Sequence, residues 1–185
     1  MKRNFLIWPV FLGLLGGCAG TSAKPEQGEV SLDQHLPLRL AVDMTPADLA
    51  LQTHNFYNIY GYFETYHWTA EGELVQNAAL TAFAPMAEQV LPRSEMPVPD
   101  MVIKVRGRSI YNPFAQAWYV DVTATGYLPN GTELGSFKAE STTGHVLVFH
   151  EEELEKTYIA AFQDVGRKFL RSGAMNEALR QRAPE

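Results

Sequence analysis

Residues 101–141 constrain the fold more than any other stretch of this chain. Met101, Ile103 and Val105 alternate with Lys104, Arg106 and Arg108. A period of two is that of a strand with one face in a core and the other in water. Residues 117–128 and 132–141 carry further strand patterns, and Pro129-Asn130-Gly131 separates them. Asn-Gly between two such runs signals a hairpin, because both residues tolerate positive φ. Asn112-Pro113 marks a turn between the first two runs. The stretch therefore predicts a three-stranded antiparallel meander, and a meander with one apolar face needs a second layer to cover it.

Two helical stripes can supply that layer. In residues 71–91, Val75, Ala78, Ala79, Ala82, Phe83, Met86 and Val90 recur at helical spacing, with Thr69 as a cap and Glu71 and Glu73 at the positive end of the helix dipole. Pro85 lies inside this pattern and predicts a kink or a break. In residues 151–170, Leu154, Tyr158, Ala161, Phe162, Val165 and Phe169 form a second stripe. Glu151, Glu152 and Glu153 open it and Arg167, Lys168 and Arg171 close it, the charge order the dipole favours. Gly173 is a natural stop, with a short terminal helix over residues 174–182. Upstream, residues 38–42 alternate as a short strand, and Thr45-Pro46 opens a brief helical turn. Residues 145–149 predict one more short strand. The expected class is α+β: an antiparallel sheet of about four strands with two long helices packed on one face.

The first residues have another character. Lys2 and Arg3 precede an apolar run from Phe5 to Leu15, which ends in Gly16, Gly17 and the chain's one cysteine, Cys18. A charged start, a short apolar middle and small residues before a cut are the parts of a secretory signal, and the run is shorter than the roughly 20 residues a spanning helix needs. Leu15-Gly16-Gly17-Cys18 resembles the lipobox of bacterial lipoproteins. The resemblance implies cleavage before Cys18 and covalent diacylglycerol and N-acyl chains on that residue, with no other cofactor. Ala19, rather than aspartate, resembles an outer-membrane sorting signal. The expected organisation is a signal peptide over residues 1–17, a lipidated tether over 18–36 and one α+β periplasmic domain over 37–185. The tether reading rests on a polar, Gly- and Pro-containing composition that buries little.

Charge narrows the partners. The chain has 15 basic and 21 acidic residues, and loss of Lys2 and Arg3 with the signal leaves 13 against 21, or −8. Such a balance argues against nucleic acid and against electrostatic adhesion to anionic headgroups. Membrane attachment is then expected to come from the lipid anchor.

Two stretches are candidates for a binding face. Phe56, Tyr57, Tyr60, Tyr62, Phe63, Tyr66 and Trp68 crowd residues 56–68. If the segment is one extended strand, Tyr60, Tyr62, Tyr66 and Trp68 share a face, either simply as good strand formers or as a surface for glycan, lipid or protein. Lys104, Arg106 and Arg108 form a basic ladder, either the solvent side of an amphipathic strand or a seat for phosphate groups or an acidic partner. Catalytic patterns do not emerge: there is no Gly-x-Ser-x-Gly elbow, no Ser-x-x-Lys and no phosphate loop, so no catalytic residue is expected. His150-Glu151-Glu152-Glu153 lacks the second histidine of a zinc helix, His145 and His150 would face opposite sides of a strand, and His54 and His67 have no neighbour at ligand spacing, so no metal site is expected.

The order strand, helix, meander, helix is similar to that of small outer-membrane lipoproteins, among them the lipopolysaccharide-assembly lipoprotein. This likeness is of pattern alone and assigns no residue. It implies a non-enzymatic accessory or assembly subunit of an envelope machine, on the periplasmic face of the outer membrane and in contact with an envelope protein. The alternative is a glycan- or lipid-binding lipoprotein that uses residues 56–68.

Overall fold

A computed structural model describes residues 31–59, 63–112, 114–144 and 151–182. The centre is a mixed five-stranded sheet in the order β4-β1-β5-β6-β7. Its strands are β1 (Leu36–Asp43), β4 (Ala87–Pro92), β5 (Met101–Asn112), β6 (Ala117–Tyr127) and β7 (Glu133–Thr142). β1 lies between β4 and β5 and runs parallel to both, while β5, β6 and β7 form the expected antiparallel meander. A separate two-stranded sheet pairs β2 (Thr53–Ile59) with β3 (Phe63–Thr69). The helices are α1 (Pro46–Leu49), α2 (Glu71–Phe83), α3 (Glu151–Ser172) and α4 (Ala174–Arg180).

The class thus needs correcting from about four antiparallel strands to five strands of mixed direction. The difference lies in residues 84–92. Helix α2 ends at Phe83, a 3-10 turn follows through Pro85, and Ala87–Pro92 becomes β4 rather than the end of a kinked helix. Proline cannot continue the helical ladder. The released segment pairs alongside β1, with Arg39 opposite Gln89 and Leu40 opposite Val90. β4 is an edge strand and ends in Pro92, a placement that tolerates the missing N–H. A second correction concerns residues 56–68. The segment is not one extended strand but folds back, with Thr53 opposite Thr69, Phe56 opposite Tyr66 and Ile59 opposite Phe63. Thr69 is not the cap of α2 either. Ala70 takes that position, and the buried Thr69 hydroxyl has no hydrogen-bond partner among the described residues.

Other local signals act as expected. Thr45 caps α1 by accepting the Asp48 N–H at 3.1 Å. Asn112 Oδ1 accepts from the N–H groups of Phe114 and Ala115 at 2.9 and 3.1 Å, the Asx geometry that turns β5 into β6. Gly131, at φ 88°, donates to the Leu128 carbonyl in the β6–β7 turn. Gly173, at φ 79°, ends α3. The strand predicted at residues 145–149 lies outside the described residues.

The core lies between the sheet and α2 and α3. Leu38, Leu40 and Val42 from β1, Met101, Ile103 and Val105 from β5, and Val120, Val122 and Ala124 from β6 meet Val75, Ala82 and Phe83 of α2 and Leu154, Phe162 and Phe169 of α3. Phe83 meets Phe162 edge-on at 5.9 Å, and Phe137 of β7 meets Phe169 at 4.7 Å. Close approach requires Gly107 at the centre of β5, where a Cβ would stand 2.7 Å from both Tyr158 and Val75. The opposite face of the meander is polar at alternate positions and carries neither long helix. Contacts with the core reach back to Leu32.

Candidate functional site

The basic ladder lies on the helix-free face. Lys104, Arg106 and Arg108 are exposed while Met101, Ile103 and Val105 are buried, as the alternation requires. Register places Lys104, Arg106 and Arg108 opposite Thr125, Thr123 and Asp121 of β6. Lys104 Nζ stands 5.1 Å from the centre of the Tyr127 ring. Arg106 Nε donates to Asp48 Oδ2 at 3.2 Å. The Thr45 hydroxyl, which donates to the same oxygen at 2.6 Å, is the main cause holding the Asp48 carboxyl below its ordinary range, and Arg106 adds to it against the opposing effect of burial. Arg106, alone of the three, thus pairs with the α1 turn at the surface.

Beyond Arg108 this face turns apolar. Ile110 is 70 % exposed and lies opposite Tyr119, and Phe114 at the hairpin tip is 97 % exposed. Trp68 belongs to the same end of the molecule, because it stands three residues before Glu71, whose side chain meets Ser109 of β5. Trp68 is 69 % exposed. Of the other aromatic candidates, Tyr60 and Tyr62 lie outside the described residues. The backbone of Tyr66 pairs with Phe56, but its side chain lies outside them too. Cys18 and the whole lipobox are likewise outside.

Two polar constellations were not visible in the sequence. The first is a knot beneath that apolar end. Glu71, 1 % exposed, accepts hydrogen bonds from Ser109 Oγ at 2.6 Å, from Tyr158 Oη at 2.5 Å and from the Thr53 hydroxyl. One carboxylate so joins β2, α2, β5 and α3. Burial, with the Glu71 carboxylate beside it, pushes the Tyr158 phenol far up, so it remains a donor.

The second lies at the other end of β5, where Asp100 precedes its first residue. Asp100 Oδ1 accepts from Arg39 Nη2 at 3.0 Å and Oδ2 from Arg39 Nε at 3.2 Å, while Oδ2 also takes the Arg39 backbone N–H at 2.8 Å. Arg182 approaches Oδ1 at 3.8 Å and donates to the Pro37 carbonyl at 3.0 Å. Burial alone would raise the Asp100 carboxyl, but the hydrogen bonds and charge of Arg39, with Arg182 beyond, lower it below its ordinary value. These groups line an open cleft of about 730 Å³, to which Arg93, Val98 and Leu128 also contribute. Arg39 and Asp100 are 61 positions apart, so nothing local announces the pair.

Among the described residues no group of three or more His, Cys, Asp or Glu could hold a metal ion, and no helix is long and apolar enough to cross a membrane. No protein-family model and no curated protein matches the chain. Among solved structures, a Xanthomonas campestris protein assigned to the DUF330 family is similar at a TM-score of 0.48 and 9 % identity, over 82 % of this chain and 92 % of that one. A candidate lipoprotein from Caulobacter crescentus is similar at a TM-score of 0.36 and 14 % identity, over 60 % of this chain and 86 % of that one.

Proposed function

We propose that this chain is a lipoprotein of the outer membrane. Anchored through Cys18, it acts at the periplasmic face as a non-enzymatic accessory or assembly subunit of an envelope machine that moves lipid, glycan or surface structures. The anchor rests on the lipobox resemblance. The observation that carries the docking role is the apolar end of the helix-free face, where Ile110, Phe114 and Tyr119 stand in water beside Arg108 and Asp121. An apolar centre with a charged rim is the anatomy of a protein interface, and large exposed apolar residues in one place mark such sites. The partner is an envelope protein with an apolar surface of its own.

A photoreactive amino acid at Phe114 tests this in cells. The expected result is one adduct of defined mass in the outer-membrane fraction, lost when Ile110→Asp is added. No adduct, or one indifferent to Ile110→Asp, contradicts the docking role. The exposed ring of Trp68 favours a second reading, glycan or lipid capture by the aromatic hairpin. Quenching of Trp68 fluorescence by an envelope glycan or lipid, abolished in Trp68→Ala, would shift the assignment to it.

A further inference from the structure

The geometry points to a second site, distinct from the apolar end: the cleft at the start of β5 binds the phosphate group of an anionic amphiphile. Three guanidiniums, from Arg39, Arg93 and Arg182, line it beside one carboxylate, that of Asp100. The local charge is therefore +2 on a chain whose total is −6. Each guanidinium is held in place before any ligand arrives. Arg39 is gripped through two of its nitrogens by Asp100, Arg182 by the Pro37 carbonyl, and Arg93 by the carbonyls of Met96 and Pro97. Arginines fixed in this way lose little conformational freedom on binding, and their planar forks match phosphate oxygens.

The apolar walls specify the rest of the ligand. Val98, 64 % exposed, and the buried Leu128 both line the cleft. Clustering three like charges is no route to a stable fold, and an exposed valine beside them is none either. Together they suit one ligand that carries both an anionic head and an apolar body. The cleft, at about 730 Å³, lies within the range of small-molecule sites, about 300–1,000 Å³. A phosphorylated lipid and a free phosphate share the head chemistry, and the walls favour the lipid.

Calorimetric titration of the full chain separates these cases, with dihexanoyl phosphatidic acid, dihexanoyl phosphatidylcholine and inorganic phosphate as monomeric probes. Phosphatidic acid is expected to saturate one site, about tenfold or more tighter than either other probe. Arg93→Gln and Val98→Asp change exposed side chains and leave the core untouched, so the fold survives both. Each is expected to weaken phosphatidic acid by about tenfold, the second by placing a carboxylate among the arginines. Absence of saturable binding overturns the proposal, as does binding that both variants leave unchanged. Phosphate binding as tight as phosphatidic acid would mark a bare anion site, and phosphatidylcholine binding as tight would mark a merely apolar one. Either also overturns it.

Discussion

Glu71 and Asp100 are both buried carboxylates, at 1 % and 6 % exposure, and they stand at opposite ends of β5. They differ in their partners. Glu71 is closed off by three hydroxyls from three elements, so the knot is sealed within the fold. Asp100 is held by guanidiniums and lies at the wall of a cleft with positive charge to spare. A buried carboxylate therefore does not by itself mark a site. The donors around it decide whether it ties the fold or orients groups toward solvent.

The comparison breaks most visibly at Glu71. Replacing it with Ala leaves two buried hydroxyls, of Ser109 and Tyr158, and the half-buried one of Thr53 without their acceptor, and is expected to cost about 3–5 kcal/mol. Urea denaturation of Glu71→Ala against wild type reads this, and a loss below about 1 kcal/mol would make the knot incidental.

Asp100→Asn is expected to cost less, about 2–3 kcal/mol at pH 7, because one guanidinium keeps partial access to water. Its pH dependence gives the sharper contrast. A lowered folded-state pKa adds stability that is present above the unfolded value of about 4 and is lost as pH falls through the folded value. Wild type and Asp100→Asn should therefore differ at pH 7 and converge in acid, as followed by thermal unfolding from pH 7 to 2.

Tyr158 gives the opposite limb. Its raised folded-state pKa means that the unfolded chain loses a proton above about pH 10 while the folded chain keeps it, so stability falls as pH rises through that value. Tyr158→Phe is expected to cost about 1–2 kcal/mol at pH 7 and to flatten the alkaline decline, measured by denaturation from pH 8 to 11.

The smallest effect belongs to the ladder. Arg106 pairs with Asp48 at the surface, so Arg106→Ala should cost about 0.5 kcal/mol or less, while NMR titration should find the Asp48 carboxyl moved up.

What the sequence could show follows from how local each interaction is. The meander, α3, α4 and the Thr45 cap were legible because period, turn residues and caps act within a few positions. Residues 87–91 carry a helical pattern because Val90 happens to continue the stripe of α2, while their strand character comes from pairing with β1. Residues 56–68 suggest one strand because seven of the thirteen are aromatic and favour strands, while the antiparallel pairing of β2 with β3 is set by contacts between the two halves of the segment. Both polar constellations join residues tens of positions apart, 87 for Glu71 with Tyr158 and 61 for Arg39 with Asp100. Of the site residues expected, Lys104, Arg106, Arg108 and Trp68 are exposed, while Cys18, Tyr60, Tyr62 and the side chain of Tyr66 lie outside the described residues.

The central claim is that Cys18 carries the domain to the outer membrane, and membrane fractionation of cells that express wild type or Cys18→Ser tests it most directly. The account predicts wild-type protein in the outer-membrane fraction, with a mature mass that includes the acyl chains. It predicts Cys18→Ser unacylated and absent from that fraction. Cys18→Ser recovered in the outer membrane as fully as wild type would contradict it.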